Sequence, residues 1–150
     1  MRLAARGIAV DVPEGWETRL RTQEPSVAWR PGNALLHACT RPLPAERGDF
    51  GTGVVDLLGP DDVFVSLFEY DPEHAGTALF EARGLPVVRP SEFSPHATQR
   101  PLPGQSGGQW FFTAAGRAFC LFVVLGSHSR RAAGAVRVTA LLSQLRVEAS

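Results

Sequence analysis

The 150-residue chain contains no lysine, and cysteine occurs only twice. All fifteen basic residues are therefore arginine, which in a chain rich in alanine, glycine, proline and valine indicates a GC-rich bacterial genome. The formal net charge is zero. A field over the whole molecule that would attract nucleic acid or anionic lipid is not expected, and we predict no nucleic-acid partner.

Long apolar runs are also lacking. The longest, residues 118–125, is far shorter than a membrane span, and residues 1–6 lead into a strand-like stretch without the apolar centre of a signal peptide. We therefore predict a cytoplasmic protein without membrane contact. Cys39 and Cys120 lie in separate apolar segments, and a reducing compartment predicts that both are buried hydrophobic residues.

Two short strands are predicted near the N-terminus, at residues 8–12 and 17–21, from the alternation of apolar and polar residues. Between them, Pro13 and Gly15 predict a turn, because proline fixes φ and glycine tolerates positive φ. This turn forms a hairpin or a corner, and it ends at Trp16.

Trp16 is predicted to be largely buried and to close the open end of the core. We expect it to pack against the C-terminal helix near Leu141 or Leu145, with Pro13 and Gly15 directing the chain there. Trp16→Ala should then cost about 3–5 kcal/mol, as other large core truncations do.

The remaining pattern predicts an α+β fold, with a mainly antiparallel sheet of five or six strands closed by an amphipathic C-terminal helix. Further strands are expected at residues 34–40, 63–70, 108–114 and 117–125, with a short helix at 52–58 and a long irregular segment at 72–104. Long irregular segments of this kind often carry function.

The end of the chain gives the clearest local signals. Ala115 and Gly116 form a two-residue hairpin signal between the last two strands. The strand 117–125 is apolar on both sides, so both faces of the sheet must be covered there. The helix is predicted over residues 129–145. Its apolar side consists of Val138, Leu141, Leu142 and Leu145.

Three stretches, "VPEGW", "GRAFCLFVVLG" and "LLSQLRV", in this order resemble the PsbP-like family, whose members include a Ran-binding import factor. The resemblance rests on residues 10–16 and 116–147, whereas residues 41–104 match no pattern of the family. It implies one PsbP-like domain over residues 1–150, with an α/β/α sandwich around an antiparallel sheet. It also implies a binding or assembly factor instead of an enzyme.

Residues 104–108 spell G-x-S-x-G, the motif of a serine hydrolase nucleophile. That motif requires a strand before Ser106, a helix after it, and then an acid and a histidine in that order. Here a hairpin follows, and Glu148 comes after His128. We therefore predict a glycine-rich loop, with Ser106 and His128 not forming a catalytic pair.

His37 and Cys39 lie two residues apart on a predicted strand, so their side chains share one face. Structural zinc needs four ligands, and no second close pair of cysteine and histidine is present. We predict a buried cysteine beside a hydrogen-bonded histidine, and no metal or other cofactor.

Charge is segregated along the chain. Residues 49–73 contain seven acids and no base, whereas residues 83–146 contain eight arginines and one acid. One interpretation is that the two sets lie close together and neutralise each other at the surface. The sharper hypothesis is an acidic partner-binding surface, which the resemblance to a Ran-binding relative also favours. It would consist of Asp61, Asp62, Asp71 and Glu73.

The leading functional interpretation is a non-enzymatic interaction or assembly domain that binds a protein partner of unknown identity; a homodimer is compatible with it. One alternative is a small-molecule or apolar-peptide binder that uses the sheet and residues 72–104 as a groove. A second is a small serine hydrolase that uses Ser106 or Ser127 with His128. A pocket with several converging polar groups would favour the alternatives.

Overall fold

The computed structural model describes residues 1–25, 32–98 and 102–149. The strands and the α-helix follow in chain order as β1 (Arg2–Ala5), β2 (Ile8–Asp11), β3 (Glu17–Thr22), β4 (Ala34–Cys39), β5 (Val63–Glu69), β6 (Ser106–Ala114), β7 (Arg117–Leu125), α1 (Arg131–Ser143) and β8 (Leu145–Val147). Short 3-10 turns lie at Val55–Leu57, Pro72–His74, Ala78–Phe80, Pro90–Glu92 and His128–Arg130.

The strands form two antiparallel sheets, one of five strands in the order β3-β4-β5-β7-β6 and one of three in the order β1-β2-β8. The mixed, mainly antiparallel α+β class is therefore confirmed. A sheet of five strands is present as predicted, but the second sheet, which β1 and β8 build with β2, was not predicted. β1 is mostly solvent-exposed and lacks apolar alternation, and β8 has only three residues, too few for alternation to mark a strand in sequence.

The turn before Trp16 is a corner between the two sheets, since β2 and β3 belong to different sheets. The Trp16 N–H donates to the Pro13 carbonyl at 3.2 Å, and Gly15 has a φ of +86°, which favours glycine. Trp16 remains partly exposed and packs against the main core cluster, which includes Leu141 and Leu145. It is less buried than a fully enclosed core residue.

The first face of the five-stranded sheet packs against α1 and the three-stranded sheet. Its core is mostly aliphatic and includes Val65, Leu121 and Val123 of the sheet with Val138 and Leu141 of the helix. The helix approaches closely at Gly134, where an added Cβ would lie 2.7 Å from a Leu125 methyl carbon.

The helical spacing predicted that Leu145 belongs to the helix, and this is wrong. It lies in β8, where it pairs with Val10 and is buried. The helix ends at Ser143 because the chain turns there to join the three-stranded sheet.

The second face of the five-stranded sheet is covered by residues 41–62, which contribute Leu43, Val54 and partly buried neighbours. They pack on Cys39, Phe64 and Cys120. Every residue of β7 is buried, which confirms that both faces are covered. Within the described residues the second face has a loop with a 3-10 turn as its cover, so the α/β/α sandwich stays a prediction.

Residues 72–98 run along the outer edge of β6 and touch it at two isolated bridges, Arg83 with Thr113 and Ser94 with Gly107. They contain 3-10 turns, as expected for an irregular segment; residues 99–101 lie outside the described part. The hairpin between β6 and β7 is confirmed, with positive φ at both Ala115 and Gly116. In the described ranges, no helix combines the length and apolar character needed to cross a membrane.

Candidate ligand-binding pocket

A cavity of about 250 Å³ lies on the second face of the sheet, between β7 and the covering loop. We call it the Gln105 pocket. Its lining is mostly apolar and consists of Phe50, Thr52, Gly53, Val55, Asp56, Thr98, Gln105, Phe122 and Val124.

Glycine in β6 allows the chain to close one wall of this pocket. Gly107 faces Val124 across the β6–β7 pair, and an added Cβ would lie 3.0 Å from the Ala97 carbonyl oxygen and 3.2 Å from a Thr98 methyl carbon. Only a residue without a side chain fits this approach comfortably. Gly107 therefore lets Thr98 reach the pocket wall.

The opposite wall is a tight loop seated on Phe64. Gly51 has a φ of +97°, and an added Cβ would lie 2.9 Å from the Phe64 ring. Gly53 has a φ of +88° and lies in the lining itself. These two glycines let the chain turn sharply enough to place Phe50 and Val55 over the sheet.

A buried polar cluster anchors this loop to the sheet. His37 of β4, which is 1% exposed, and Ser66 of β5 both contact the Asp49 carbonyl oxygen, at 2.8 and 2.6 Å. Arg47 donates its Nε–H to His37 Nδ1 at 2.7 Å, so Nδ1 is an acceptor and Nε2 carries the proton that Asp49 accepts. Burial lowers the pKa of His37 to about 4, aided by the charges of Arg47 and Arg21. His37 is therefore neutral at pH 7.

Two side chains in the lining hold a buried oxygen that has no hydrogen-bond partner. Gln105 is 6% exposed, and its Nε2 donates to the Val55 carbonyl at 2.8 Å, which fixes the orientation of the amide. Its Oε1 and the Thr98 Oγ1 find no partner. Because a buried unsatisfied oxygen costs about 1–3 kcal/mol, a new hydrogen bond to either of these two side chains would be favourable.

Aromatic rings continue from the pocket along the second face. Phe50 meets Phe122 edge-on, with ring centroids 5.6 Å apart, and stacks on Phe68 at 5.2 Å. Phe68 in turn contacts Tyr70 at 5.1 Å. Phe50, Phe68 and Tyr70 are all partly exposed. Burial raises the pKa of the Tyr70 hydroxyl.

The four predicted partner-surface acids do not converge. Asp61 and Asp62 precede β5, and Asp71 and Glu73 follow it, so strand rise separates the two pairs by roughly 30 Å. Asp61 pairs with Arg130.

Asp62 has a structural role at the end of β5. It accepts hydrogen bonds from the Thr40 hydroxyl and the Gly59 N–H, at 2.9 and 2.8 Å, and lies 3.4 Å from Arg41. At the other end Asp71 accepts a hydrogen bond from Asn33 at 2.7 Å. These contacts agree with local neutralisation more than with one acidic surface.

Ser106 is fully buried in β6, opposite Leu125, and its Oγ makes no hydrogen bond. The Nδ1 of His128 also has no partner. Ser127 shares a hydrogen bond with Ser129 at 2.8 Å. The structure therefore gives neither serine the hydrogen-bonded histidine that activates a nucleophile.

His37 and Cys39 share a face of β4, and His37 is the hydrogen-bonded histidine that the sequence predicted. Both ring nitrogens already have protein partners. Burial raises the pKa of the Cys39 thiol. Among the described residues, no group of three or more histidine, cysteine and acidic side chains is arranged to hold a metal ion.

Sequence reasoning missed one buried ion pair. Arg117 of β7 donates from Nε and Nη2 to the Glu69 carboxylate of β5 at 2.8 and 3.0 Å. Glu69 also accepts the Ala34 N–H, and Arg117 donates to the Glu148 carbonyl. No local motif marks this pair, because the partners lie far apart in sequence and meet only through the pairing of β5 with β7.

These features define a mainly antiparallel α+β domain with a small, largely apolar pocket on one sheet face. No family model, curated protein or solved structure matches the chain. The resemblance to the PsbP-like family is therefore neither supported nor refuted by these comparisons.

Proposed function

We propose that the chain is a non-enzymatic binding domain and that the Gln105 pocket holds a small, mainly apolar molecule. The observation that carries this proposal is a mostly apolar cavity whose lining includes Gln105 and Thr98, each of which holds a buried oxygen without a hydrogen-bond partner. Small-molecule sites combine an apolar lining with a few placed polar groups, which is the composition found here.

The size of the cavity supports a compact ligand. Drug-sized ligands occupy sites of roughly 300–1,000 Å³, and this cavity has about 250 Å³. A protein partner would meet the rim of the pocket but could not fill it with more than one side chain. A small molecule therefore fits this site better than a folded partner does.

A protein partner at the acidic residues remains a separate prediction. The separation of Asp61 and Asp62 from Asp71 and Glu73, and the contacts of Asp61 and Asp62 with nearby arginines, weaken the idea of one continuous surface. Membership of the PsbP-like family would fit a binding role for the chain, but it transfers no residue to the pocket.

The absence of catalysis is part of the proposal. Ser106 lies buried without a base, and the lining has hydroxyl groups at Thr52 and Thr98 but no serine, cysteine or histidine among its described residues. A fluorophosphonate probe should therefore leave Ser106 unlabelled. Labelling of Ser106, detected by mass spectrometry of the digested protein, would contradict this.

Ligand-observed NMR with a set of one- and two-ring apolar molecules tests the binding function. Val124→Phe fills part of the pocket and should abolish binding. Val136→Phe makes the same change on the exposed side of α1, where Val136 is 70% exposed, and should bind like the wild type. Thermal unfolding of each variant verifies that it folds.

Amide shifts of the wild-type protein give the second measurement, which needs no variant. Molecules that bind should shift the amides of residues 50–56, 105 and 122–124. Binding that Val124→Phe leaves unchanged, or shifts confined to other regions, would show that the pocket is not the site.

A further inference from the structure

We propose, on the basis of the binding function above, that the ligand is a neutral aromatic molecule of about two fused rings that carries one N–H or O–H donor. Phe50 and Phe122 supply the ring surfaces, and the buried oxygens of Gln105 and Thr98 supply the acceptors. The inference therefore names the chemical class that this one pocket selects.

The volume sets the size of the ligand. A dry cavity of roughly 150 Å³ is sufficient for benzene. The Gln105 pocket, at about 250 Å³, has room for one such ring and a second fused ring or short substituent. Indole has this size.

Ring geometry favours an aromatic ligand over an aliphatic one. Phe50 and Phe122 lie almost perpendicular, at 83°, so a planar ligand can place its face on one ring and its edge on the other. Such contacts add to the free energy gained by burying the same area of aliphatic surface. A saturated ligand of equal size lacks this additional free energy.

The polar groups select a donor. Gln105 Nε2 already donates to the Val55 carbonyl, so the unsatisfied atom of this side chain is an acceptor. The Thr98 hydroxyl can accept or donate, so Gln105 is the group that requires a donor. Water does not reach either oxygen in the protein alone, so the Gln105 or Thr98 side chain must turn towards the cavity to accept from a ligand N–H or O–H. The hydrogen bond that then forms is one otherwise unmade.

Charge argues against an anionic ligand. Asp56 is the single charged residue in the described lining, and it is acidic. An aromatic carboxylate would bring a negative charge into a largely apolar cavity whose described lining has no basic side chain, and an unpaired charge there is costly. A neutral molecule avoids this cost.

Three ligands of nearly equal size separate these arguments: indole, indene, which lacks the N–H, and hydrindane, which also lacks the aromatic ring. Dissociation constants come from isothermal titration calorimetry, with amide shifts to locate each ligand. Indene should bind about 2- to 10-fold more tightly than hydrindane. Indole should bind a further 3- to 10-fold more tightly, roughly.

Two variants connect the preference to named atoms. Gln105→Met keeps the length of the side chain and removes its oxygen, so it should reduce the advantage of indole over indene. Thr98→Val tests the second oxygen with little change of shape. Gln109→Met makes the same substitution four residues further along the chain, in β6, at an exposed side chain outside the lining, and should leave the preference unchanged.

Different results overturn different claims. If hydrindane binds as tightly as indene, the ligand is not selected for aromatic character. If indole binds no more tightly than indene in the wild type, neither oxygen selects a donor. In both cases the pocket still binds small molecules. If none of the three shifts the pocket amides at its limit of solubility, the binding function itself is wrong.

Discussion

The two faces of the five-stranded sheet share the same strands but differ in what covers them. The first face meets α1 and the three-stranded sheet, and its core is mainly aliphatic. The second face meets the loop at residues 41–62, contains several aromatic rings and buries His37 and Ser66. Its cover leaves a cavity of about 250 Å³.

The difference shows that the segment packed on a sheet face determines the role of that face. A helix and a second sheet bring regular rows of branched side chains that interdigitate, so the first face packs densely. A loop has few apolar side chains to offer and needs polar anchors for its backbone, which His37 and Ser66 provide at the Asp49 carbonyl. We infer that the first face mainly stabilises the fold and that the second face is available for binding.

The largest expected effect concerns the charged pair at the margin of the first face. Glu69 is 7% exposed, and Arg117→Met leaves its carboxylate with the Ala34 N–H as its donor among the described residues. Removing one partner of a buried ion pair typically costs about 3–5 kcal/mol, so we expect a loss of this size in urea unfolding at pH 7.

A double variant is the control for this prediction. Glu69→Gln combined with Arg117→Met removes both charges and keeps an acceptor for the Ala34 N–H, so it should recover much of the lost stability. If Arg117→Met alone costs less than about 1 kcal/mol, the pair does not lock the strands together and the first face depends on apolar packing alone.

The second prediction concerns pH and the anchor of the second face. The pKa of His37 is about 4 in the folded protein, against 6.5 for an unperturbed histidine. Between these values the unfolded chain binds more protons, so stability is complete above about pH 6.5 and falls as the pH drops towards 4. The His37 contribution to this loss is at most about 3 kcal/mol.

His37→Gln isolates that contribution, because glutamine does not titrate and can still donate and accept. Urea unfolding of both proteins from pH 7 to pH 4 should show a steeper loss for the wild type. Parallel curves would mean that His37 is not held neutral and that the second face has no proton-sensitive anchor.

The third prediction concerns the stability contributed by Trp16 at the corner between the two sheets. Because Trp16 is partly exposed, we now expect Trp16→Ala to cost about 2–3 kcal/mol, below the range for fully enclosed large side chains. Equilibrium unfolding at pH 7 measures this value. A loss below about 1 kcal/mol would show that Trp16 covers the core without stabilising it.

The sequence predicted the first face better than the second. Apolar alternation placed β2 to β7 to within a few residues, and the two-residue hairpin signal located the turn at Ala115 and Gly116. The short strands β1 and β8 were missed because pairing with β2, not their own composition, makes them strands. Leu145 fitted the helical spacing but pairs with Val10 in β8.

The pocket could not be predicted, because its walls come from segments that are distant in the chain. Gln105 and Ser106 are neighbours in one glycine-rich stretch, yet Gln105 lines the pocket and Ser106 is buried opposite Leu125. The G-x-S-x-G motif indicated Ser106, not Gln105, as the candidate functional residue. The useful signal was Gly107 inside a strand, which indicates close approach of another segment.

The smallest expected effect concerns the acids at the two ends of β5, the central strand that both faces share. Two paired variants, Asp61→Asn with Asp62→Asn and Asp71→Asn with Glu73→Gln, are compared with the wild type in pull-downs from native lysate at low and high salt. Complementary charge mainly speeds association and weakens as salt screens it. Because roughly 30 Å separates the ends, we expect any salt-sensitive partner to respond to one variant only. Equal weakening by both variants would restore the single acidic surface. Equal retention by all three proteins at both salt levels would mean that these acids only neutralise nearby arginines, as Asp61 does with Arg130.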